Sequence, residues 1–234
     1  PRGVAVCFAC ATFPTWNAYP AMLASLATGN PVIVKPHPTA ILPMALAVRT
    51  FREVIAGVGF PPDLVTLCVD TVEAPVGKLL VKHPQTAIVD FTGSARFGSW
   101  VEANAHPALC FSETSGVNTV VVESVDQLEP VVRSLATTMS LFSAQMCTSP
   151  QNVYVPRDGI RHAGGRIGAN EFGALLAQAM ASSAVDTKRA APIMAAIQAA
   201  STPALIDQMA DAGSRRGRVL LASSPYAHPE FAHA

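Results

Sequence analysis

The sequence has little charge, few aromatic side chains and no concentrated positive charge. Only 14% of the 234 residues are charged and 6% are aromatic, whereas 50% are hydrophobic and the formal net charge is zero. This composition excludes an intrinsically disordered chain. The basic residues are scattered apart from Arg215, Arg216 and Arg218, so we expect no nucleic-acid partner and no anionic membrane surface as a partner. Chemistry on a small molecule is the class of function that remains.

The sequence also lacks paired cysteines, metal-ligand spacings and long apolar runs. Its five cysteines are spaced too irregularly for a disulfide framework or a zinc site, so we expect no metal and a reducing, cytoplasmic setting. Four of its six histidines precede proline, which predicts turns. These are His37, His83, His106 and His228. No apolar run reaches the roughly 18 residues of a membrane span. Because the chain starts at Pro1 and enters a strand-like segment at once, we expect it to be an internal fragment of a longer protein.

Apolar runs alternate with amphipathic segments along the first half of the chain. The predicted strands are residues 3–11, 31–35, 64–69, 86–91 and 108–111. The predicted helices are residues 18–27, 41–56 with Thr39 as its cap, 73–81, and one that opens at 92–94. Continuous apolar runs are typical of strands buried on both faces. This pattern predicts an α/β fold with a doubly wound, Rossmann-like parallel sheet, which binds ligands at the carboxyl ends of its strands.

The second half of the chain predicts a further alternation of strands and helices. We expect a strand at 119–123, a long helix at 126–142, a polar turn that contains Gln145 and Cys147, and a strand at 151–155. Alanine-rich segments beyond Pro156 predict helices at 171–184 and 190–200, followed by a strand at 219–222.

Several residues could carry chemistry, and each has an ordinary structural alternative. Lys35 is either a solvated charge at a sheet edge or a partner for a phosphate or ribose hydroxyl. Gly93 and Ser94 open a helix whose N–H groups can face an anion, although many helices begin this way. Glu113 is either a capping or surface glutamate or a partly buried general base. Cys147 is either a small buried hydrophobe or a thiol that a polar turn exposes to a cleft.

Taken together in chain order, five segments resemble the aldehyde dehydrogenase superfamily. These are Thr15-Trp16-Asn17, Pro31–Pro36, Phe91–Ser94, Glu113 and Gln145-Met146-Cys147. The interval of 34 residues from Glu113 to Cys147 also resembles the family's spacing of base and nucleophile. Within the family, three segments are similar to the branch that acts in bacterial phenylacetic acid degradation: Thr15-Trp16-Asn17, Lys35-Pro36-His37-Pro38 and the turn at 144–152. The similarity covers residues 1 to about 156 most clearly.

The resemblance implies a division of catalytic roles. Cys147 would add to the carbon of a small-molecule aldehyde, and Asn17 with the backbone N–H of Cys147 would stabilise the oxyanion. Glu113 would activate the water that hydrolyses the thioester. In the phenylacetate branch the implied substrate is a coenzyme A-linked semialdehyde. Two alternatives remain: a branch in which coenzyme A takes the acyl group, and a catalytically silent fragment that only binds the cofactor.

The resemblance also implies NAD or NADP as the cofactor. Lys35 would meet the adenosine ribose or its phosphate, and Gly93 and Ser94 would lie near the pyrophosphate. Trp16, His37 and Pro38 complete the implied cofactor contacts. Many NAD-preferring members have a glutamate three residues after the lysine, where this chain has Pro38. A glutamate there would repel the 2′-phosphate of NADP, and this chain lacks it. We therefore expect NADP or dual use rather than strict NAD.

The resemblance further implies that residues 1–114 bind NAD(P) and that residues 115–234 form a partial catalytic domain. Each domain is expected to be incomplete, because full members of the family are much longer, and the full-length protein is expected to be a homo-oligomer. Two local departures stand near the expected site. The family has Glu-Leu-Gly-Gly where residues 113–116 of this chain are Glu-Thr-Ser-Gly. The family also has glycine three places before the nucleophile, where this chain has Ala144.

Overall fold

The computed structural model describes residues 1–185, 187–191 and 193–226. The chain divides into two compact units, Pro1–Ser115 and Gly116–Ala234. In the described part of the chain, no helix is both long enough and apolar enough to span a bilayer. His228, predicted to lie in a turn, is outside the described residues.

A five-stranded parallel sheet forms the centre of the first unit. Its strands are β1 (Val4–Ala9), β2 (Val32–Pro36), β3 (Val65–Leu67), β4 (Thr86–Gly93) and β5 (Leu109–Thr114). They lie in the order β3-β2-β1-β4-β5, and every neighbouring pair is parallel. Since the chain winds outward from β1 in one direction and continues from β4 in the other, the topological switch point lies between β1 and β4. The predicted doubly wound α/β fold is confirmed.

Helices cover both faces of this sheet because alternate strand residues are apolar on both sides. The helices are α1 (Pro14–Ala27), α2 (Ile41–Gly57), α3 (Gly77–Lys82) and α4 (Ala95–Asn104). On one face Cys7 packs with Met22 of α1 and Met44 of α2. On the other face Phe8 and its neighbours pack with α4. Helix α4 lies very close to β5, since a Cβ added at Gly98 would be 2.5 Å from Thr114 Cγ2.

The second unit contains two small sheets and four helices among the described residues. Its elements are β6 (Asn118–Val121), α5 (Leu128–Ser140), β7 (Pro150–Tyr154), β8 (Ile160–His162), β9 (Gly165–Ile167), α6 (Ala169–Ser183), α7 (Thr187–Ala190) and α8 (Thr202–Arg216). Strands β6 and β7 are parallel, and β8 and β9 are antiparallel. Residues of α5, α6 and the β8–β9 pair form the core, including Leu135, Ile160 and Phe172.

Several predicted boundaries in the first unit are wrong. Helix α1 begins at Pro14 rather than residue 18, because proline is well suited to the first turn of a helix. Helix α3 begins at Gly77 rather than residue 73. Thr39 does not cap α2; Ala40 holds the cap position, and the Thr39 hydroxyl lies 2.8 Å from Nδ1 of His37. Strand β5 extends beyond residue 111 to Thr114.

The largest errors lie at the end of the second unit. The predicted helix at 190–200 is wrong, since residues 193–199 are not helical and their backbone groups bond to another loop. The predicted strand at 219–222 is also wrong. There the side chain of Leu220 lies against Gly173 of α6, so these apolar residues cover a helix instead of joining a sheet. The β8–β9 pair and helix α8 were not predicted.

Candidate active site and cofactor site

The carboxyl ends of β1 and β4 form the natural ligand-binding edge of the first unit. Strand β1 leads through residues 10–13 into α1, and β4 leads directly into α4. Ser94 is the N-cap of α4, and its Oγ accepts a hydrogen bond from the N–H of Phe97 at 3.4 Å. Ser94 is exposed, so the first N–H groups of α4 can face an anion. A side chain at Gly93 would crowd the ring of Phe91, since a Cβ added there would lie 2.7 Å from the Cζ atom of that ring.

Lys35 lies at the end of β2, and it is buried and paired. Its residue exposure is 9%, so it is not a solvated charge at the sheet edge. Its Nζ lies 2.6 Å from Oδ1 of Asp70, which follows β3. The angles between the two groups fall outside hydrogen-bond geometry, so the contact is an ion pair. The other oxygen of Asp70 accepts the N–H of Val76 at 3.1 Å.

Sequence reasoning missed Asp70. The available signal was its position, since it follows the strand next to β2 and the carboxyl ends of neighbouring parallel strands meet at one edge. A single acidic residue after a strand is common, however, and nothing in the sequence alone paired it with Lys35. The distance between their charged groups is what singles it out.

His37 lies next to this ion pair and is half-buried. Burial lowers the pKa of the imidazole, the positive charge of Lys35 lowers it further, and the charge of Asp70 opposes both effects. The N–H of Thr39 donates to Nδ1 at 3.2 Å. A ring nitrogen that accepts a hydrogen bond carries no proton, so the structure favours the neutral imidazole protonated on Nε2. Pro38 follows as a half-buried residue.

Trp16 and Asn17 both lie in the first turns of α1, but their surroundings differ. Trp16 is 77% exposed, whereas Asn17 is half-buried. The thiol of Cys10 donates to Oδ1 of Asn17 at 2.8 Å, and the N–H of Phe13 donates to the sulfur of Cys10 at 3.3 Å. The hydrogen bond from Cys10 occupies the carbonyl oxygen of the Asn17 amide. Its NH₂ group is the part that can donate to an oxyanion.

Glu113 lies within β5, opposite Thr92 of β4, and its side chain is exposed. Of the two alternatives for Glu113, the structure has the surface side chain rather than the partly buried one, because β5 is an edge strand and this face of it is uncovered within the first unit. Phe111, two residues earlier on the same face, is 57% exposed. Asp90 of β4 lies near this face, and its pKa is raised by burial and then by the charge of Glu113.

Cys147 lies in the turn that joins α5 to β7, and it is half-buried. The side-chain amide of Asn118 in β6 donates to the carbonyl oxygen of Cys147 at 2.6 Å and to that of Ser149 at 3.1 Å. The hydroxyl of Ser149 donates to the carbonyl of Met139 at 3.3 Å. The backbone on either side of the thiol is therefore fixed by a neighbouring strand and by the preceding helix. Sequence reasoning missed Asn118.

The backbone before Cys147 has an unusual left-handed conformation. Phe142, Ser143 and Ala144 have φ angles of 53°, 54° and 60°, and none of them is glycine. A left-handed residue with a side chain costs about 1–2 kcal/mol, so other contacts must hold this segment. Ala144 is also the position at which the family resemblance expects glycine.

The contacts that hold this left-handed segment come from residues 193–198. The N–H of Ser143 donates to the carbonyl of Ile193 at 2.9 Å. The Ser143 hydroxyl donates to the carbonyl of Ala195 and accepts its N–H, both at 2.9 Å. The Gln145 amide donates to the carbonyl of Ala196 at 3.0 Å and accepts the N–H of Gln198 at 3.0 Å. Residues 193–198 thus use their backbone groups on the Cys147 turn rather than on a helix.

Two of the other cysteines are held as neutral thiols. Burial and the charge of Asp90 raise the pKa of Cys7, whose thiol donates to the carbonyl of Ala18 at 3.8 Å. Burial raises the pKa of Cys110, and the charges of Glu102 and Asp90 add to the effect. A raised pKa disfavours the thiolate, which is the reactive form. Among the described residues, no group of three histidine, cysteine or acidic side chains could hold a metal ion.

Comparison with known proteins identifies the family. The model of the aldehyde dehydrogenase family matches residues 1–227. The chain belongs to the aldehyde dehydrogenase family. A crystal structure described as an NAD-dependent aldehyde dehydrogenase from Burkholderia multivorans is 44% identical, with a TM-score of 0.89, over 100% of this chain and 41% of that chain. The NADP-dependent glyceraldehyde-3-phosphate dehydrogenase of Bacillus halodurans is 19% identical with a TM-score of 0.75, and the match covers 100% of this chain and 46% of that chain. At this identity the likeness shows the fold alone.

Curated relatives are similar over a smaller part of the aldehyde dehydrogenase chain. The 1-pyrroline-5-carboxylate dehydrogenase of Bacillus licheniformis is 32% identical over 168 residues, which is 66% of this chain and 31% of that protein. A second 1-pyrroline-5-carboxylate dehydrogenase, from Bacillus subtilis, is 31% identical over 168 residues, again 66% of this chain and 31% of that protein. The chain thus spans about a third of the length of these relatives. Their names support the family but not its phenylacetate branch.

Proposed function

We propose that this chain carries the nucleophile and part of the cofactor site of an NAD(P)-dependent aldehyde dehydrogenase that oxidises an aldehyde to a carboxylic acid. The observation that carries the proposal is the turn at Cys147. Its thiol follows a left-handed segment held by hydrogen bonds to residues 193–198, and its own carbonyl is bound by Asn118. Hydrogen bonds from two separate segments fix this backbone, as a positioned nucleophile requires.

The cofactor portion of the proposal rests on the edge of the sheet in the first unit. A dinucleotide fits there because the N-terminus of α4 presents N–H groups beside Ser94, and Lys35 and His37 lie at the end of β2. Pro38 and Trp16 are the other residues that we assign to this cofactor site. When bound, the cofactor supplies the hydride acceptor. We accordingly assign NAD(P) binding to residues 1–114 and the nucleophile to residues 115–234.

The residues of this chain would then act in sequence on the substrate. The Cys147 thiolate forms a bond to the aldehyde carbon, and the NH₂ group of Asn17 and the N–H of Cys147 donate to the resulting oxyanion. Loss of hydride from that carbon leaves a thioester on Cys147. Glu113 takes a proton from water as the water oxygen attacks the thioester carbon, and the acid leaves as the sulfur is released.

Two substrate classes follow from similarity. The curated relatives are named 1-pyrroline-5-carboxylate dehydrogenases, which favours that compound. The turn at 144–152 instead resembles the phenylacetate branch and favours a coenzyme A-linked semialdehyde. Assaying the purified protein with both compounds separates the two, since the better substrate has a kcat/KM higher by at least tenfold.

Three variants test the catalytic assignment. Cys147→Ser should abolish NAD(P)H formation, whereas Cys68→Ser, which replaces another partly buried free thiol, should leave it unchanged. Glu113→Gln should still give one equivalent of NAD(P)H in a burst and then turn over about 10²-fold or more slowly, since only hydrolysis loses its base. Normal turnover by Cys147→Ser would refute the nucleophile. If the product is acyl-coenzyme A rather than the free acid when coenzyme A is added, the enzyme transfers the acyl group to coenzyme A and does not hydrolyse the thioester.

A further inference from the structure

We infer that Asp70 is a specificity-determining residue that makes this chain select NAD over NADP. The inference rests on the proposed function, because it concerns the cofactor edge of the first unit. It goes beyond that function by choosing one cofactor and by assigning a role to a residue outside the expected set. It also reverses the expectation of NADP or dual use that the absence of a glutamate at Pro38 suggested.

The position of Asp70 is the first argument. It follows β3, which pairs with β2, so it reaches the carboxyl edge of the sheet beside Lys35. Its side chain is 1% exposed, and it is held by the ammonium group of Lys35 at 2.6 Å and by the N–H of Val76 at 3.1 Å. The neighbouring strand thus supplies a fixed carboxylate at the edge where Pro38 supplies none.

The charge of the cluster is the second argument. The positive charge of Lys35 is offset by the carboxylate at 2.6 Å, so the pair has no net charge to offer an incoming anion. His37 does not add a positive charge, because burial and the charge of Lys35 lower its pKa.

These charges distinguish the two cofactors, which differ only by the 2′-phosphate. In doubly wound sheets an acidic side chain typically accepts ribose hydroxyls in NAD sites, whereas a cationic group accommodates the 2′-phosphate in NADP sites. The Lys35–Asp70 pair carries no net charge, so this edge lacks the unpaired cationic group of the second type at Lys35. Placing a phosphate beside this pair brings it close to the Asp70 carboxylate while the ammonium of Lys35 is already paired, which weakens binding.

Calorimetric titration of the purified protein with NAD and with NADP tests the inference. Wild type should bind NAD about tenfold or more tightly than NADP. Asp70→Asn keeps the shape but removes the charge and frees the ammonium of Lys35, so it should improve the affinity for NADP relative to NAD by about tenfold. Asp63→Asn removes a carboxylate that is 79% exposed and paired with Arg52, and it should leave the ratio unchanged. An unchanged ratio in folded Asp70→Asn would overturn the role of Asp70.

Further outcomes separate this inference from the proposed function. If Asp70→Asn does not fold by circular dichroism, wild type is titrated with adenosine 5′-monophosphate and adenosine 2′,5′-bisphosphate. Weaker binding of the bisphosphate supports the inference, and equal or tighter binding overturns it. If wild type binds NADP as tightly as NAD, only the role of Asp70 is wrong. If wild type binds neither dinucleotide, the proposed cofactor site fails, and this inference fails with it.

Discussion

Replacing Asn118 tests whether the Cys147 turn is fixed in the way the structure indicates. The Asn118 amide makes two hydrogen bonds, to the carbonyl oxygens of Cys147 and Ser149. At about 1 kcal/mol for each partly buried hydrogen bond, Asn118→Ala should lower the free energy of unfolding of the second unit by about 2 kcal/mol. Asn118→Asp has nearly the same shape but directs carboxylate oxygens at both carbonyls. It should cost about 3 kcal/mol or more, since it adds unsatisfied acceptors to the lost bonds.

Differential scanning calorimetry is the suitable assay, because the two compact units can unfold separately and both tryptophans lie in the first. Asn104→Ala is the matched control: the Asn104 amide donates one hydrogen bond, to the carbonyl of Trp100 at 2.7 Å, in the first unit. It should cost about 1 kcal/mol. If the free energy of unfolding of Asn118→Asp lies within about 0.5 kcal/mol of the wild-type value, the Asn118 contacts do not stabilise the turn and the reasoning is refuted.

Two further substitutions test the backbone and charge of the described structure. Ala144→Gly should raise the free energy of unfolding by about 1 kcal/mol, because its φ of 60° suits glycine, whereas Ala210→Gly inside α8 should lower it by about 1 kcal/mol in the same urea titration. Burial and the charge of Glu113 raise the pKa of Asp90 in the folded protein. The folded state is therefore fully stable with respect to this group at pH values below the pKa of Asp90 in the unfolded chain. That stability is lost as the pH rises through the higher pKa of Asp90 in the folded protein. Asp90→Asn should therefore raise the melting temperature at pH 7 and change it little at pH 3; equal effects at both would exclude this cause.

The sheet of the first unit could be predicted from sequence because its signal is local. The apolar runs that became β1, β2 and β4 are buried on both faces by packed helices, and such runs have few other stable structures. The segment at 193–198 could not be predicted in the same way. Its alanine-rich sequence favours a helix, but hydrogen bonds to Ser143 and Gln145 occupy its backbone groups. Non-local contacts of this kind override local propensity.

The candidate site was predictable to the extent that it depends on strand ends. Lys35 and Ser94 were assigned to one edge because parallel strands carry their carboxyl ends together, and β2 and β4 do so. The pairing of Lys35 with Asp70 depends on which strands are neighbours and on side-chain rotamers, which composition does not encode. The exposure of Glu113 likewise follows from the place of β5 at the sheet edge.

The hydrogen bonds around Cys147 have a consequence for the order of folding. They join residues 29 positions apart on the Asn118 side and 51 to 53 positions apart on the side of residues 193–198. Closing such long loops is slower than forming a helix or a hairpin. During synthesis, the left-handed segment therefore cannot be completed before residue 198 has emerged from the ribosome. The geometry of the thiol therefore depends on a part of the chain that is synthesised well after Cys147 itself.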